Sequence, residues 1–372
     1  MEILISQELL STLLSRAQSV LERKSTRAIL ENVLLQTAEN RFTLAATDLR
    51  ISLSQEAQCT TISPGSVAIP GRKFHEIVRE LPKGEIRIEV KENQWVTVTG
   101  GKATVHLPAS PSQEYPTLPS LPDHFQPFAA TSFRRMIEKT IFAASSDESR
   151  IYLTGVFLNE WKDPTGILNL RMVATDGHRM SLIDHPLDKP IGLFSEGVIV
   201  PKKGLGELKN LLESVTDSFD FACTDGKIYA RTGTTILSVT LIDSIFPNYE
   251  QVIPQEVQSW IQIDRASLAT ALRRVSLLSD EETKTVVLEA SPQLLRLSSD
   301  NPRFGDARED ITISYEGVPV KIAFNATYFM DLLRAMEGTE VRLGVTDGLA
   351  PCLVQGVEDA RYLSVIMPMR LD

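Results

Sequence analysis

Apolar positions along the chain switch between a period of two and a period near 3.6, and one such switch recurs. Over residues 197–212, GVIVPKKGLGELKNLL, the run Val198, Ile199, Val200 reads as a strand and Pro201 breaks it. Leu205, Leu208, Leu211 and Leu212 then share one side of a helix. Upstream, Val67, Ala68, Ile69 and Pro70 precede Phe74, Ile77, Val78 and Leu81 in the same phase. Downstream, Val320-Lys321-Ile322-Ala323-Phe324 leads through Asn325, a good N-cap, into Tyr328, Phe329, Leu332 and Leu333. Pro70, Pro201 and Asn325 stand about one third of the 372 residues apart. That period predicts three similar domains, each large enough to bury about two-thirds of its surface.

The rest of the pattern follows the same order three times. Each third begins with a short strand and a helix, whose apolar sides carry Leu10, Leu13 and Leu14, then Phe133, Met136 and Ile137, then Leu268, Leu272 and Val275. Ser6 and Asp264 read as caps of the first and third of these helices. Alternating segments follow, among them 32–36, 41–44, 155–158, 170–174, 285–290, 294–298 and 311–315. Turn aspartates Asp48, Asp176 and Asp300 fall at matching places. A loop rich in Pro, Ser and Tyr closes the first third, and Phe246-Pro247-Asn248-Tyr249 echoes its Tyr115-Pro116. Each unit reads as two helices and about eight strands, an α+β domain with mostly antiparallel sheet, over residues 1–122, 123–253 and 254–372.

Composition changes this picture little. Hydrophobic residues make up 42% and charged residues 23%, ordinary for a globular protein. Glu2 and Glu8 stand where a signal peptide carries basic residues, and no apolar run approaches the ~18 residues of a membrane span, so a cytoplasmic location is expected. Cys59, Cys223 and Cys352 lie far apart and read as reduced thiols.

Charge changes it more. The net charge of -10 argues, as an average, against tight binding to nucleic acid, which needs basic groups to displace counterions. Yet aligning the first helices on Leu10, Phe133 and Leu268 puts Arg16, Lys139 and Arg274 at one position. The second helices place Arg72 and Lys203 together, with Thr327 in the third copy. One such basic residue is commonplace on a solvated helix; recurrence in register favours contact with phosphate.

Candidate chemistry is sparse. Asp176 and His178 could form an acid/base pair, the basis of a hydrolase reading, but Asp-Gly favours a tight turn, and Asp48 and Asp300 occupy the same place without a histidine. The five histidines form no HExxH or HxH array, and no P-loop, GxGxxG or GxSxG is present, so neither metal nor cofactor is expected. The apolar ending SVIMPMRL reads either as a last edge strand or as a methionine-lined wall of a binding pocket. A repeat scaffold that binds peptides without nucleic acid is a further reading of the same features.

At these residues the chain resembles the bacterial DNA sliding clamps, the beta subunits of DNA polymerase III. The resemblance rests on VATDGHRM (173–180), VIVPKKGLGELKNLL (198–212), FPNY (246–249) and VIMPMRL (365–371), in the right order across the whole chain. It implies a non-catalytic, head-to-tail homodimeric ring of six similar domains, helices lining the hole, that encircles duplex DNA and tethers the polymerase for processivity. By position it implies DNA contacts at Lys24, Arg72, Arg150, Tyr152 and Lys203. It further implies a pocket for short motifs of the polymerase, clamp loader and repair proteins. That pocket would be lined by Leu153, Thr175, Gly177, His178, Arg179, Met180, Pro247, Val252, Val365, Met367, Pro368, Met369 and Arg370. Val105 and Leu107 would meet Leu277 and Leu278 of a second copy, and Asp372 would add a carboxylate beside the pocket.

Overall fold

A computed structural model describes residues 1–22, 26–91 and 95–370. Among them are six α-helices: α1 (Gln7–Ala17), α2 (Gly71–Glu80), α3 (Ala130–Thr140), α4 (Lys202–Leu212), α5 (Arg265–Val275) and α6 (Ala326–Ala335). They fall two to each third, as the periodicity predicts. Asn325 caps α6 by accepting from the Thr327 and Tyr328 amides, and Asp264 caps α5 by accepting from the Ser267 amide. Ser6 makes no such side-chain bond; the Gln7 amide donates to the Gly84 carbonyl at 2.8 Å instead. Helix α4 buries Leu205, Leu208 and Leu212 together with Gly204. A Cβ on Gly204 would stand 2.2 Å from Val239 Cγ1, so the close seating of α4 depends on that glycine.

Two compact units emerge, Met1–Phe133 with Lys203–Leu241, and Arg134–Lys202 with Ile242–Asp372. The first holds a five-stranded sheet, ordered Thr60–Ser63, Glu2–Ser6, Glu85–Val90, Trp95–Gly100, Ala103–Pro108. Its eight-stranded sheet runs Gln126–Ala129, Ser218–Thr224, Lys227–Thr232, Thr235–Thr240, Ile51–Gln58, Arg41–Thr47, Asn32–Ala38, Gly65–Pro70. The second unit repeats this plan. Its eight-stranded sheet runs Val198–Pro201, Gly155–Lys162, Leu168–Thr175, Arg179–Pro186, Asp359–Ile366, Cys352–Gly356, Glu340–Val345, Ser259–Asp264. Its four-stranded sheet runs Gly305–Thr312, Leu294–Asn301, Thr285–Ser291, Val320–Asn325.

Both eight-stranded sheets therefore cross from one repeat into the next. In the first, Thr235–Thr240 pairs antiparallel with Ile51–Gln58, Leu237 opposite Leu53. In the second, Asp359–Ile366 pairs with Arg179–Pro186, Ser364 opposite Ser181. Alternation marks these segments as half-buried strands but does not name their neighbours. The strand expected at 311–315 instead occupies Gly305–Thr312, because it returns directly along Leu294–Asn301, with Asn301 opposite Gly305.

Aromatic packing anchors the first unit, where Phe133 lies 5.3 Å from Phe219 and 5.3 Å from Phe221 between ring centroids. In the second, Phe324 and Phe329 meet edge to face at 5.6 Å. Cys352 is fully buried, which pushes its thiol up to about 12, and all three cysteines are free.

Candidate functional site

The densest convergence of the expected site residues lies in the second unit, where two repeats share a sheet. Leu153, Val173, Met180, Leu182, Ile199, Phe246, Tyr249, Leu353 and Val365 form one buried apolar cluster, with Tyr152 and Phe157 packed on it. Phe157 stacks on Phe246 at 5.0 Å. Leu153, Met180 and Val365 are buried in this cluster, while Pro247, Val252, Gly177, His178 and Met367 are exposed.

A tight turn places the rim. Thr175 Oγ1 donates to the Arg179 carbonyl at 2.7 Å and accepts from the Gly177 amide at 3.1 Å. Asp176 Oδ1 accepts from the His178 and Arg179 amides at 2.9 and 3.0 Å. Gly177 takes φ +90°, a conformation that favours glycine. The same turn is built at Thr47 and Asp48, whose side chains bond the Ile51 carbonyl and amide in the same way. Asp176 therefore shapes a loop, and its second oxygen is taken by Arg179 Nε at 3.1 Å. His178 stacks on Tyr328 at 6.0 Å. An Asp176–His178 dyad is not assembled.

Arg179 ties the rim to the third repeat. Its side chain is 9% exposed; Nη1 donates to Asp331 Oδ2 at 2.8 Å and Nη2 to the Phe142 carbonyl at 2.8 Å, with the guanidinium 4.6 Å from the Tyr328 ring centre. The chain end completes the wall. The Met367 amide donates to the His178 carbonyl at 2.9 Å, and the Met369 amide to Ala323 at 2.8 Å. Pro368 between them is half-buried, and Arg370 is exposed. Leu371 and Asp372 lie outside the described residues.

The described residues expected to touch DNA fall in both units, Arg72 and Lys203 in the first and Arg150 and Tyr152 in the second. Arg150, held by Asp147 at 2.9 Å, has Nη1 3.1 Å from where a Gly177 Cβ would stand, and Tyr152 packs on the apolar cluster. Arg72 donates to the carbonyls of Gln18 and Leu21 at 3.3 and 2.9 Å, beyond the end of α1. Lys203 is half-exposed and paired with Asp48. Lys24 lies outside the described residues.

The basic position shared by the first helices also divides. Lys139 is buried, with Nζ 2.6 Å from Asp359 Oδ2 and 4.4 Å from the Tyr362 ring centre, which corrects the expectation that it faces phosphate. Arg274 pairs with Glu309, while Arg16 is exposed. Lys139 lies beside an apolar stripe, and a stripe cannot reveal a carboxylate arriving from a strand 220 residues later.

Of the residues expected to meet a second copy, Leu277 is 79% exposed, Val105 and Leu278 are half-buried, and Leu107 is covered within its own sheet. Among the described residues no group of three or more His, Cys, Asp or Glu is placed to hold a metal ion, and no helix is long and apolar enough to cross a membrane.

Comparison with known proteins covers the whole chain. Models of the DNA polymerase III beta subunit match residues 1–119 (N-terminal domain), 128–248 (central domain) and 250–370 (C-terminal domain). The beta sliding clamp of Caulobacter vibrioides is 32% identical over 377 residues, and that of Haemophilus influenzae 32% over 374, each match spanning 100% of both chains. Among solved structures, the sliding clamp of Bartonella birtlesii bound to griselimycin superposes with a TM-score of 0.95 at 30% identity, covering 100% of both chains. The DNA polymerase III beta subunit of Pseudomonas aeruginosa gives 0.92 at 32%, again over 100% of both.

Proposed function

Because this chain belongs to the DNA polymerase III beta subunit family, the bacterial sliding clamps, we propose that it works as a head-to-tail homodimer closed around duplex DNA. It is a processivity subunit of the polymerase and is not itself catalytic. The hydrolase and DNA-free scaffold readings are not favoured by that membership, and the turn geometry at Asp176 agrees. We take the three clamp domains to span residues 1–122, 123–253 and 254–372.

One observation carries the dimer. Each repeat offers two strands at its ends, a middle strand and a late strand, and the chain joins late to middle twice: Thr235–Thr240 to Ile51–Gln58, and Asp359–Ile366 to Arg179–Pro186. Two members of the series remain as sheet edges: Ala103–Pro108, a late strand, and Gly305–Thr312, a middle strand. An open edge is a template for pairing. Joining the two by the rule used inside the chain requires a second copy, and a head-to-tail contact that closes gives a ring. Val105, Leu107, Leu277 and Leu278 are the apolar groups proposed for that joint.

A ring also reconciles the charge of -10 with DNA. A threaded protein needs only weak, exchangeable phosphate contacts, and strong ones would oppose sliding. Lys24, Arg72, Arg150, Tyr152 and Lys203 are proposed for these contacts; the pairing of Lys203 with Asp48 leaves its ammonium half-exposed and able to exchange partners. The pocket over Leu153, Met180 and Val365 is proposed to take partner motifs, its apolar floor anchoring and the Thr175–Arg179 turn setting register. The solved clamps of Bartonella birtlesii and Pseudomonas aeruginosa are bound to griselimycin, which supports a ligand-accepting surface on clamps of this family.

After loading, the protein should remain on nicked circular DNA and run off the same DNA once linearised; equal loss from both forms would sink the ring. In sedimentation the mass should be twice 41.3 kDa. Leu277→Asp should shift it to the single-chain mass, weakening dimerisation about a thousandfold, because a ring has two equivalent joints and each loses about 2 kcal/mol. An unchanged dimer would remove Leu277 from the joint.

A further inference from the structure

The two repeat junctions inside the chain are built on one plan, and they differ around one carboxylate. In the second unit, Asp331 on α6 is surrounded by cations: Arg179 Nη1 at 2.8 Å and Arg334 Nη1 at 3.1 Å, the Arg179 guanidinium lying 5.3 Å from the Phe142 ring centre. In the first unit the matching residue, six after the strand-helix break, is Glu207 on α4. Ile51 stands in the place of Arg179, Asn210 in that of Arg334, and Ser19 in that of Phe142. The equivalence of Ile51 and Arg179 is structural as well, since their amides donate to Asp48 and Asp176 in identical turns. Three shorter, uncharged side chains thus replace those that filled the second junction.

Beside two of these positions, Ser19 and Asn210, lies a cavity of about 240 Å³, bordered also by Glu207 and Arg16 and by the apolar Val20, Leu53, Leu211 and Leu237. It exceeds the volume of several waters. Ser19 Oγ donates to Glu207, and Asn210 and the Lys203 ammonium also act on it, but no guanidinium stands at the places of Arg179 and Arg334. Burial pushes the Glu207 carboxyl above its usual range. We propose that this cavity binds a guanidinium on a short apolar stem, the chemistry of an arginine side chain, with Glu207 taking the role of Asp331 and the ligand that of Arg179. The stem lies along Leu53, Leu211 and Leu237, and Arg16 in the lining favours an acceptor group at the far end.

The test is a methyl NMR titration of the full-length protein with arginine, with N-acetylarginine N-methylamide, and with citrulline, which keeps the shape and lacks the charge. Methyl groups of Val20, Leu53, Leu211 and Leu237 should shift saturably with the first two and not with citrulline. Glu207→Gln should weaken binding about tenfold or more, Asp331→Asn should leave it unchanged, and Ile51→Arg, which supplies the guanidinium in cis, should abolish it. Tighter binding of the blocked compound assigns the site to an arginine of a protein, and tighter binding of free arginine assigns it to a small molecule. No saturable shift up to about 10 mM, equal response to citrulline, or undiminished binding by Glu207→Gln would overturn the proposal. DNA retention and dimer mass do not depend on this site, so its failure is separable from that of the ring.

Discussion

Arg179→Met should destabilise the second unit by about 4 kcal/mol, the usual cost of removing one partner from a buried ionic network. The guanidinium joins Asp176, Asp331 and the Phe142 carbonyl from three directions, and all of them lose a donor at once. Asp331 keeps the ion pair with the exposed Arg334 and the more distant Lys202 charge. Because Asp176 also holds the rim turn, the pocket should lose its partner motif as well, with affinity falling more than about tenfold. Urea denaturation and fluorescence anisotropy of a labelled motif peptide measure the two effects. Arg179→Lys keeps the charge but cannot fork, so it should recover little of either. A variant that binds peptide normally despite lower stability would show that the rim is held without Arg179.

Lys139→Met should cost about 3 kcal/mol for the same reason. Its ammonium is withdrawn from water and neutralised by Asp359, which also receives Arg135 at 2.6 Å. Methionine fills the volume and leaves Asp359 with one cation. Hydrogen exchange should report faster opening of the Asp359–Ile366 strand first, since that strand carries the lost partner. Opening confined to α3 would contradict the assignment. The same cluster gives a pH dependence. The hydrogen bond from Arg135 holds the Glu337 carboxyl below its usual value near 4.5. A depressed folded pKa means the folded state binds fewer protons, so this stabilisation is complete above about pH 4.5 and is lost as pH falls toward the lowered value. Glu337→Gln should flatten that acid limb.

Local signals in the sequence were reliable guides to local structure. The strand-helix phrase, the caps at Asn325 and Asp264, the two helices per third and the Thr175–Arg179 turn all depend on neighbours within a few residues. The family signatures reached further: Leu153, Met180 and Val365, which they single out, meet in one buried apolar cluster. What escaped was set by distant strands. Lys139 reads as a surface lysine until Asp359 arrives beside it. Nothing in the alternation of Ile51–Gln58 announces a partner in the next repeat. The cavity beside Glu207 was equally hidden, because it is defined by side chains that are small where their counterparts are large.

The pairing of Ile51–Gln58 with Thr235–Thr240 also sets a timetable for synthesis. A hydrogen bond such as that from Thr234 to Glu56 spans 178 residues. At about 5–20 residues per second, strand 51–58 leaves the ribosome roughly 10–35 s before its neighbour exists. For that interval the nascent chain carries an open edge whose natural mate is any late strand of the same design, including one on another copy. Until then its unpaired backbone groups remain a template for pairing. The joint that makes the protein continuous is thus a late event of synthesis.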